Sequence, residues 1–187
     1  MPLLTAGPSR FLGGGAAWDW WLASGTIPEA NVLEHVENPA ARQLYAGAGA
    51  TDAWTVAFRT NLASVPAVNA LAFDAQSGRL IIGRSADSGA NGFYDGPAWR
   101  DVTLFSTGDH TYIIISDAAN IQCYRDGSAV GGAYASTVNI GGTARWLSRY
   151  ADSSGWQDWP VAIPRGMVAN IALDATQRAA LHTSLMA

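Results

Sequence analysis

The sequence predicts an all-β fold: a sandwich of two antiparallel sheets with a short C-terminal helix. Three observations carry this. The 187 residues include 20 glycines and only 14% charged residues, a composition suited to short strands joined by tight turns. Trp54-Thr-Val-Ala-Phe-Arg-Thr60 alternates, with Trp54, Val56 and Phe58 on one face and Thr55, Ala57 and Arg59 on the other, the period of a half-buried strand. Asp126-Gly127 stands between two strand-like runs, and a type I′ hairpin turn needs positive φ at both central residues.

At this length the chain is one domain able to bury a core. It divides into an irregular attachment segment, residues 1–50, and the sandwich, residues 51–187. The first 53 residues fit the strand pattern poorly. Phe11-Leu12 precede three glycines, a flexible or closely packed joint. Trp18-Asp-Trp20-Trp21 is a dense aromatic cluster: either a plug over an open end of the sandwich or a contact surface for another subunit. Thr26-Ile-Pro-Glu29 reads as a capping box opening a helical turn, and Pro39 to Tyr45 as another short turn.

After the Trp54 strand, Asn69–Asp74 and Leu80–Arg84 form a pair joined by a polar loop. Asp87 to Gly92 is a loop, which Phe93 to Trp99 continues, and Asp101 to Ser106 is a further strand. Ile113-Ile-Ile115 is a β-branched run suited to burial on both faces. Asp117-Ala-Ala-Asn120 is a polar turn. Ile121, Cys123 and Arg125 then share one face, and Gln122 and Tyr124 the other. Val130 opens the return strand. Arg145 to Tyr150 reads as a strand and Ala151 to Pro164 as a long loop. Asp174 and Gln177 form the capping box of the last helix, with Leu181 and Leu185 on one face.

The stretch from His110 to Gly127 resembles the central hairpin of laminin-G-like and concanavalin A-like jelly-roll domains: a strand, a polar turn, a strand ending in aromatic-x-Asp-Gly, and a small-residue return. Val138-Asn-Ile-Gly-Gly142 is similar to a strand of that family, and Gly166–Leu173 followed by Asp174–Leu181 to its closing strand and helix. The likeness runs from about Trp54 to the C-terminus. It implies a jelly-roll sandwich and says little about the ligand.

Composition narrows the function. Every basic residue is arginine and net charge is −4, which argues against general nucleic-acid binding and against an anionic membrane surface. No stretch is long enough to span a bilayer, and the first ten residues lack the pattern of a secretory signal. Cys123 reads as a small buried hydrophobe. The hydrolytic branch of the resembled superfamily carries Glu-x-Asp-x-Glu on a strand. Here Glu29, Glu34 and Glu37 all precede Trp54, and no two aspartates form an Asp-x-Asp pair. Gly83-Arg-Ser-Ala-Asp87 departs from a nucleophile elbow at its last position. His35, His110 and His182 show no metal-ligand spacing.

Two loops remain. Asp87, Asn91, Asp95 and Asp101 offer hard oxygen ligands of the kind calcium takes, though such residues also serve turns, the preferred reading. The loop holding Tyr150, Asp152, Trp156, Asp158 and Trp159 mixes flat rings with carboxylates. That mixture suits a sugar, whose apolar C–H faces stack on rings while polar groups fix its hydroxyls. Trp156 and Trp159 would otherwise pack the loop onto the sandwich; Tyr94 and Trp99 pose the same choice. The expectation is a non-enzymatic binding or adhesion module for a host-surface glycan, without cofactor or metal. An initiator methionine, a domain-sized chain and the aromatic cluster suggest a phage virion component, either a head decoration or a tail-associated receptor-binding module. Phe11, Trp18, Trp20 and Trp21 would then contact virion proteins or a second copy. A structural decoration without ligand is the alternative, and a polysaccharide-active enzyme comes third.

Overall fold

The computed structural model describes residues 27–28, 31–37, 44–46, 52–75, 80–140, 143–147 and 157–187. In chain order the strands are β1 (Val32–Glu37), β2 (Leu44–Ala46), β3 (Ala53–Leu62), β4 (Ala70–Ala75) and β5 (Leu80–Arg84). There follow β6 (Asn91–Asp95), β7 (Trp99–Asp101), β8 (Gly108–Asp117), β9 (Asn120–Arg125) and β10 (Ser128–Ala135). Last come β11 (Thr143–Trp146), β12 (Gln157–Asp158), β13 (Arg165–Ala169) and the helix α1 (Ala175–Met186).

They form a sandwich of two antiparallel sheets. The first runs β1-β13-β3-β8-β9-β10. The second runs β2-β11-β4-β5-β6-β7, with the two-residue β12 parallel to β4. The alternation of β3 does what its sequence dictates. Trp54, Val56 and Phe58 enter the core between the sheets, while Ala57 faces the other way. The isoleucine run of β8 is buried on both sides, because Ile114 points between the sheets and Ile113 and Ile115 point under α1. Phe58, Phe105, Tyr112 and Trp146 pack ring to ring in the centre, with centroids 5.0–6.3 Å apart. The Asp126-Gly127 turn has φ of 52° and 77°, the left-handed pair a type I′ hairpin requires.

Helix α1 roofs the outer face of the first sheet. Asp174 and Gln177 form the expected capping box, and Leu181 and Leu185 lie on Ile113, Ile115 and Met167. Its end is tied down by polar groups. Arg59 donates to the carbonyls of Leu185 and Met186, Arg165 donates to that of Ser184 at 2.6 Å, and Thr111 Oγ1 lies 2.7 Å from His182 Nδ1. Cations on the last carbonyls of a helix also suit its dipole.

The structure departs from the sequence reading in places. Residues 32–37, beyond the expected helical turn, are strand β1, and Leu44–Ala46 is strand β2 rather than a helical turn. Both are edge strands, so the division at residue 50 leaves two strands of the sandwich on its N-terminal side. The strand expected over Asp101–Ser106 stops at Asp101. There Oδ1 accepts the Thr103 N–H and Thr103 takes a left-handed φ of 52°, turning the chain across to the first sheet. The strand expected at 138–142 is reduced to a single bridge at Ile140 among the described residues.

Candidate functional site

With α1 over one sheet, the outer face of the other is the face to consider; Leu71, Asp74 and Ile81 at its centre are buried, while Tyr94 and Trp99 at its β6–β7 edge are half-buried. Register places its side chains in rows. Arg145, Asp74, Ile81, Tyr94 and Trp99 stand opposite one another across β11, β4, β5, β6 and β7. The next row is Leu71, Gly83, Gly92 and Asp101, with Asp158 of β12 beside Leu71. A bulge between Leu71 and Phe73 sends both Ala72 and Phe73 into the core and leaves Leu71 and Asp74 on this outer face. The two glycines are required by close approach. A Cβ on Gly83 would come within 2.3 Å of the Ala70 carbonyl, and one on Gly92 within 2.2 Å of the Arg100 carbonyl.

At the β6–β7 edge Tyr94 and Trp99 are cross-strand partners, with ring centroids 5.9 Å apart at 54°. Both are half-buried, and both point away from the core that Phe93 fills from the same strand. Beneath them Asp95 is buried and accepts from Arg100 Nε at 2.8 Å, while the Arg100 guanidinium lies 5.7 Å over Tyr134. Asp101, exposed on the platform's own face, uses Oδ1 to accept from the Asn91 and Thr103 N–H groups.

The expected residues sort as follows. Tyr94, Trp99 and Asp158 fall on this one face, and Asp158 is exposed. Trp159 does not: it is 4% exposed, its ring 4.5 Å from Phe105, and its backbone N–H donates to Leu147. It packs the loop onto the core, which corrects its assignment as a ligand-binding residue, since a buried indole offers no face for stacking. Tyr150, Asp152 and Trp156 lie outside the described residues, as do Phe11, Trp18, Trp20 and Trp21. Asp101, not singled out as glycan-contacting, joins the platform through strand pairing, while Ile81 in the same row as the rings is buried.

Each side chain of the calcium alternative serves a protein partner. Asp87 accepts from Asn69 Nδ2 at 2.8 Å, Asp95 pairs with Arg100, Asp101 caps backbone N–H groups, and Asn91 spans the Phe105 N–H and carbonyl. Among the described residues no three potential ligands converge to hold a metal. His110 meets Asp126 and the Thr107 carbonyl. Cys123 is buried in the core, and burial pushes its thiol well up. Glu34 faces between the sheets, accepting from Trp146 Nε1 at 3.2 Å, and burial lifts its carboxyl to about 7 against that bond. No helix among the described residues is long and apolar enough to cross a membrane.

These features define a β-sandwich with one face roofed by a helix and an aromatic pair on the opposite face. No family model matches the sequence, and no curated protein matches it. Among solved structures, the chain is similar to a Trypanosoma rangeli sialidase captured as a covalent intermediate with 2,3-difluorosialic acid. The TM-score is 0.59 at 10% identity, covering 84% of this chain and 34% of the sialidase. It is also similar to a Bacteroides ovatus protein to which carbohydrate binding has been ascribed, with a TM-score of 0.57 at 14% identity, covering 80% of this chain and 45% of that one. The chain thus spans about a third of the sialidase and under half of the Bacteroides protein. At such identities the likeness is one of fold.

Proposed function

We propose that the chain is a non-catalytic glycan-binding module whose ligand lies on the Tyr94–Trp99 platform. The observation that carries this reading is the cross-strand pairing of two half-buried rings at the β6–β7 edge of the second sheet's outer face, with Asp101 on the same face. Such rings suit the C–H faces of a sugar, and a nearby carboxylate suits its hydroxyls. The sialidase and the Bacteroides protein named above support the choice of glycan as ligand class. The test is an array of bacterial surface polysaccharides followed by calorimetry with Trp99→Ala. A saturable signal weakened at least about tenfold by the substitution, with the melting temperature unmoved, is expected. An unchanged affinity would remove the platform from the account, and released reducing ends would replace binding by hydrolysis.

The module would act on a phage particle, as a head decoration or a tail-associated receptor-binding protein. This part of the proposal rests on the aromatic cluster of residues 18–21 in the sequence. A decoration that only cements the particle would co-sediment with it and give no glycan signal.

A further inference from the structure

The constraints that shape β6 leave a reactive dipeptide at its start. Asn91 is the residue that holds the crossover loop 101–106. Its side chain spans Phe105, Nδ2 donating to the carbonyl at 2.9 Å and Oδ1 accepting the N–H at 2.7 Å. Its own carbonyl accepts the Val102 and Leu104 N–H groups at 3.2 and 3.0 Å, and its N–H donates to Asp101 Oδ1. From a side chain this short, only a primary amide offers Phe105 a donor and an acceptor at once. The next residue has to be glycine, because a Cβ on Gly92 would meet the Arg100 carbonyl at 2.2 Å. Asn-Gly is therefore imposed from two sides. Of the eight asparagines in the chain, Asn91 alone precedes a glycine; Asn31, Asn120, Asn139 and Asn170 precede valine or isoleucine.

That pair is open to a reaction of its own. The Gly92 nitrogen, once its proton has gone to a base, attacks Asn91 Cγ. The Cγ–Nδ2 bond breaks, ammonia leaves and a cyclic imide closes. Water then opens either carbonyl of the ring, giving aspartate, or isoaspartate with the backbone rerouted through Cβ and Cγ. Only water is consumed. A glycine puts no side chain in the path of the attack and lets the chain bend into it. In the folded chain the reacting groups are kept from each other. The Asn91 amide is clamped on Phe105, and Gly92 is fixed in the ladder between Gly83 and Asp101. The loop has to lift before the ring can close. We infer that Asn91 is a deamidation site guarded by the crossover loop 101–106, and that its conversion unlatches that loop irreversibly. In the product a carboxylate oxygen stands where Nδ2 donated, so two acceptors face each other at the Phe105 carbonyl. The isoaspartate form also adds a backbone atom to a strand that has no slack at Gly92.

The experiment incubates the full chain in mildly alkaline buffer, with and without denaturing urea. Mass spectrometry follows the tryptic peptide 85–100, in which Asn91 is the only asparagine. In urea this peptide should gain the mass of an amide-to-acid exchange before any other asparagine-containing peptide does. In the folded chain the same conversion should run at least about tenfold slower. The protein converted while folded, separated by its added negative charge, should melt at least about 3 °C lower than the unconverted protein. Asn91→Asp should shift the melting temperature in the same direction; if that variant fails to fold, the converted fraction supplies the reading. Equal rates with and without urea would overturn the inference. So would a converted protein that melts with the unconverted one, or another asparagine that converts first in urea.

Discussion

The indole of Trp146 donates to Glu34 Oε2 at 3.2 Å, a bond that ties the edge strand β1 of one sheet to β11 of the other. The carboxylate lies between the sheets, where burial lifts its titration to about 7, the indole bond pulling only partly back. A carboxyl that titrates higher folded than unfolded binds its proton more tightly in the folded state. Stability is therefore greatest below the ordinary carboxylate range and is lost as pH rises through about 7. The effect is at most about 3 kcal/mol. Urea unfolding at pH 5 and pH 8 should show the loss, and Glu34→Gln should abolish most of the difference. Equal pH profiles for the two proteins would contradict the assignment.

Asp109 acts in the opposite sense. The Arg59 guanidinium bonds it at 2.7 Å and holds its carboxyl below the usual range. That contribution is present above the ordinary carboxylate range and fades as pH falls through the lowered value. Since both groups of the pair are partly exposed, the effect is small beside that of Glu34. Together they predict a stability maximum on the acid side of neutrality.

Gly127 has φ of 77°, and a Cβ there would meet nothing closer than His182 at 3.8 Å. Gly127→Val therefore costs backbone strain rather than a clash, roughly 2–3 kcal/mol. The melting temperature should fall by about 5–10 °C. A shift of under a degree would mean that the hairpin tolerates another turn type.

Because Asp87, Asn91, Asp95 and Asp101 each serve a separate protein partner, EDTA and calcium should move the melting temperature by less than about 1 °C. A marked fall with EDTA, reversed by calcium, would show that these side chains rearrange to take the ion.

Deleting residues 1–24 tests the role of Trp18, Trp20 and Trp21. If they dock on a partner, the shortened chain stays folded by circular dichroism but no longer co-sediments with its particle or oligomer, since buried aromatic anchors carry much of an interface. Aggregation on deletion would favour a plug over exposed apolar surface. A folded product that still assembles would exclude the docking role.

Local signals made much of the fold legible. The period of Trp54 to Thr60, the Asp126-Gly127 turn and the Asp174–Gln177 capping box each act within a few residues, and each appears where expected. The strands of residues 32–46 were not legible. Val32–Glu37 pairs with residues 165–169, a partner that no local pattern reveals. The platform was half legible: Tyr94 and Trp99 stood out as aromatics, but their pairing with each other depends on a tight turn at residues 96–98. The bulge at Leu71 shifts the face of every residue after it, which strict alternation misses. Trp159 looked the same in sequence as an exposed tryptophan would; only packing against Phe105 separates them.

The position of β13 between β1 and β3 has a consequence for synthesis. The strands β3, β8, β9 and β10 can pair as soon as residue 135 leaves the ribosome, whereas residues 32–37 wait for residues 165–169 to arrive between them and β3. At ordinary elongation rates that wait is on the order of ten seconds. Chains stalled after residue 135 has left the ribosome but before residues 165–169 emerge are expected to resist protease across β3–β10 and to be cut within residues 32–37, while protection at both places would mean that β1 finds a temporary partner. The nascent protein would thus carry an open sheet edge along β3 until residues 165–169 emerge to fill it.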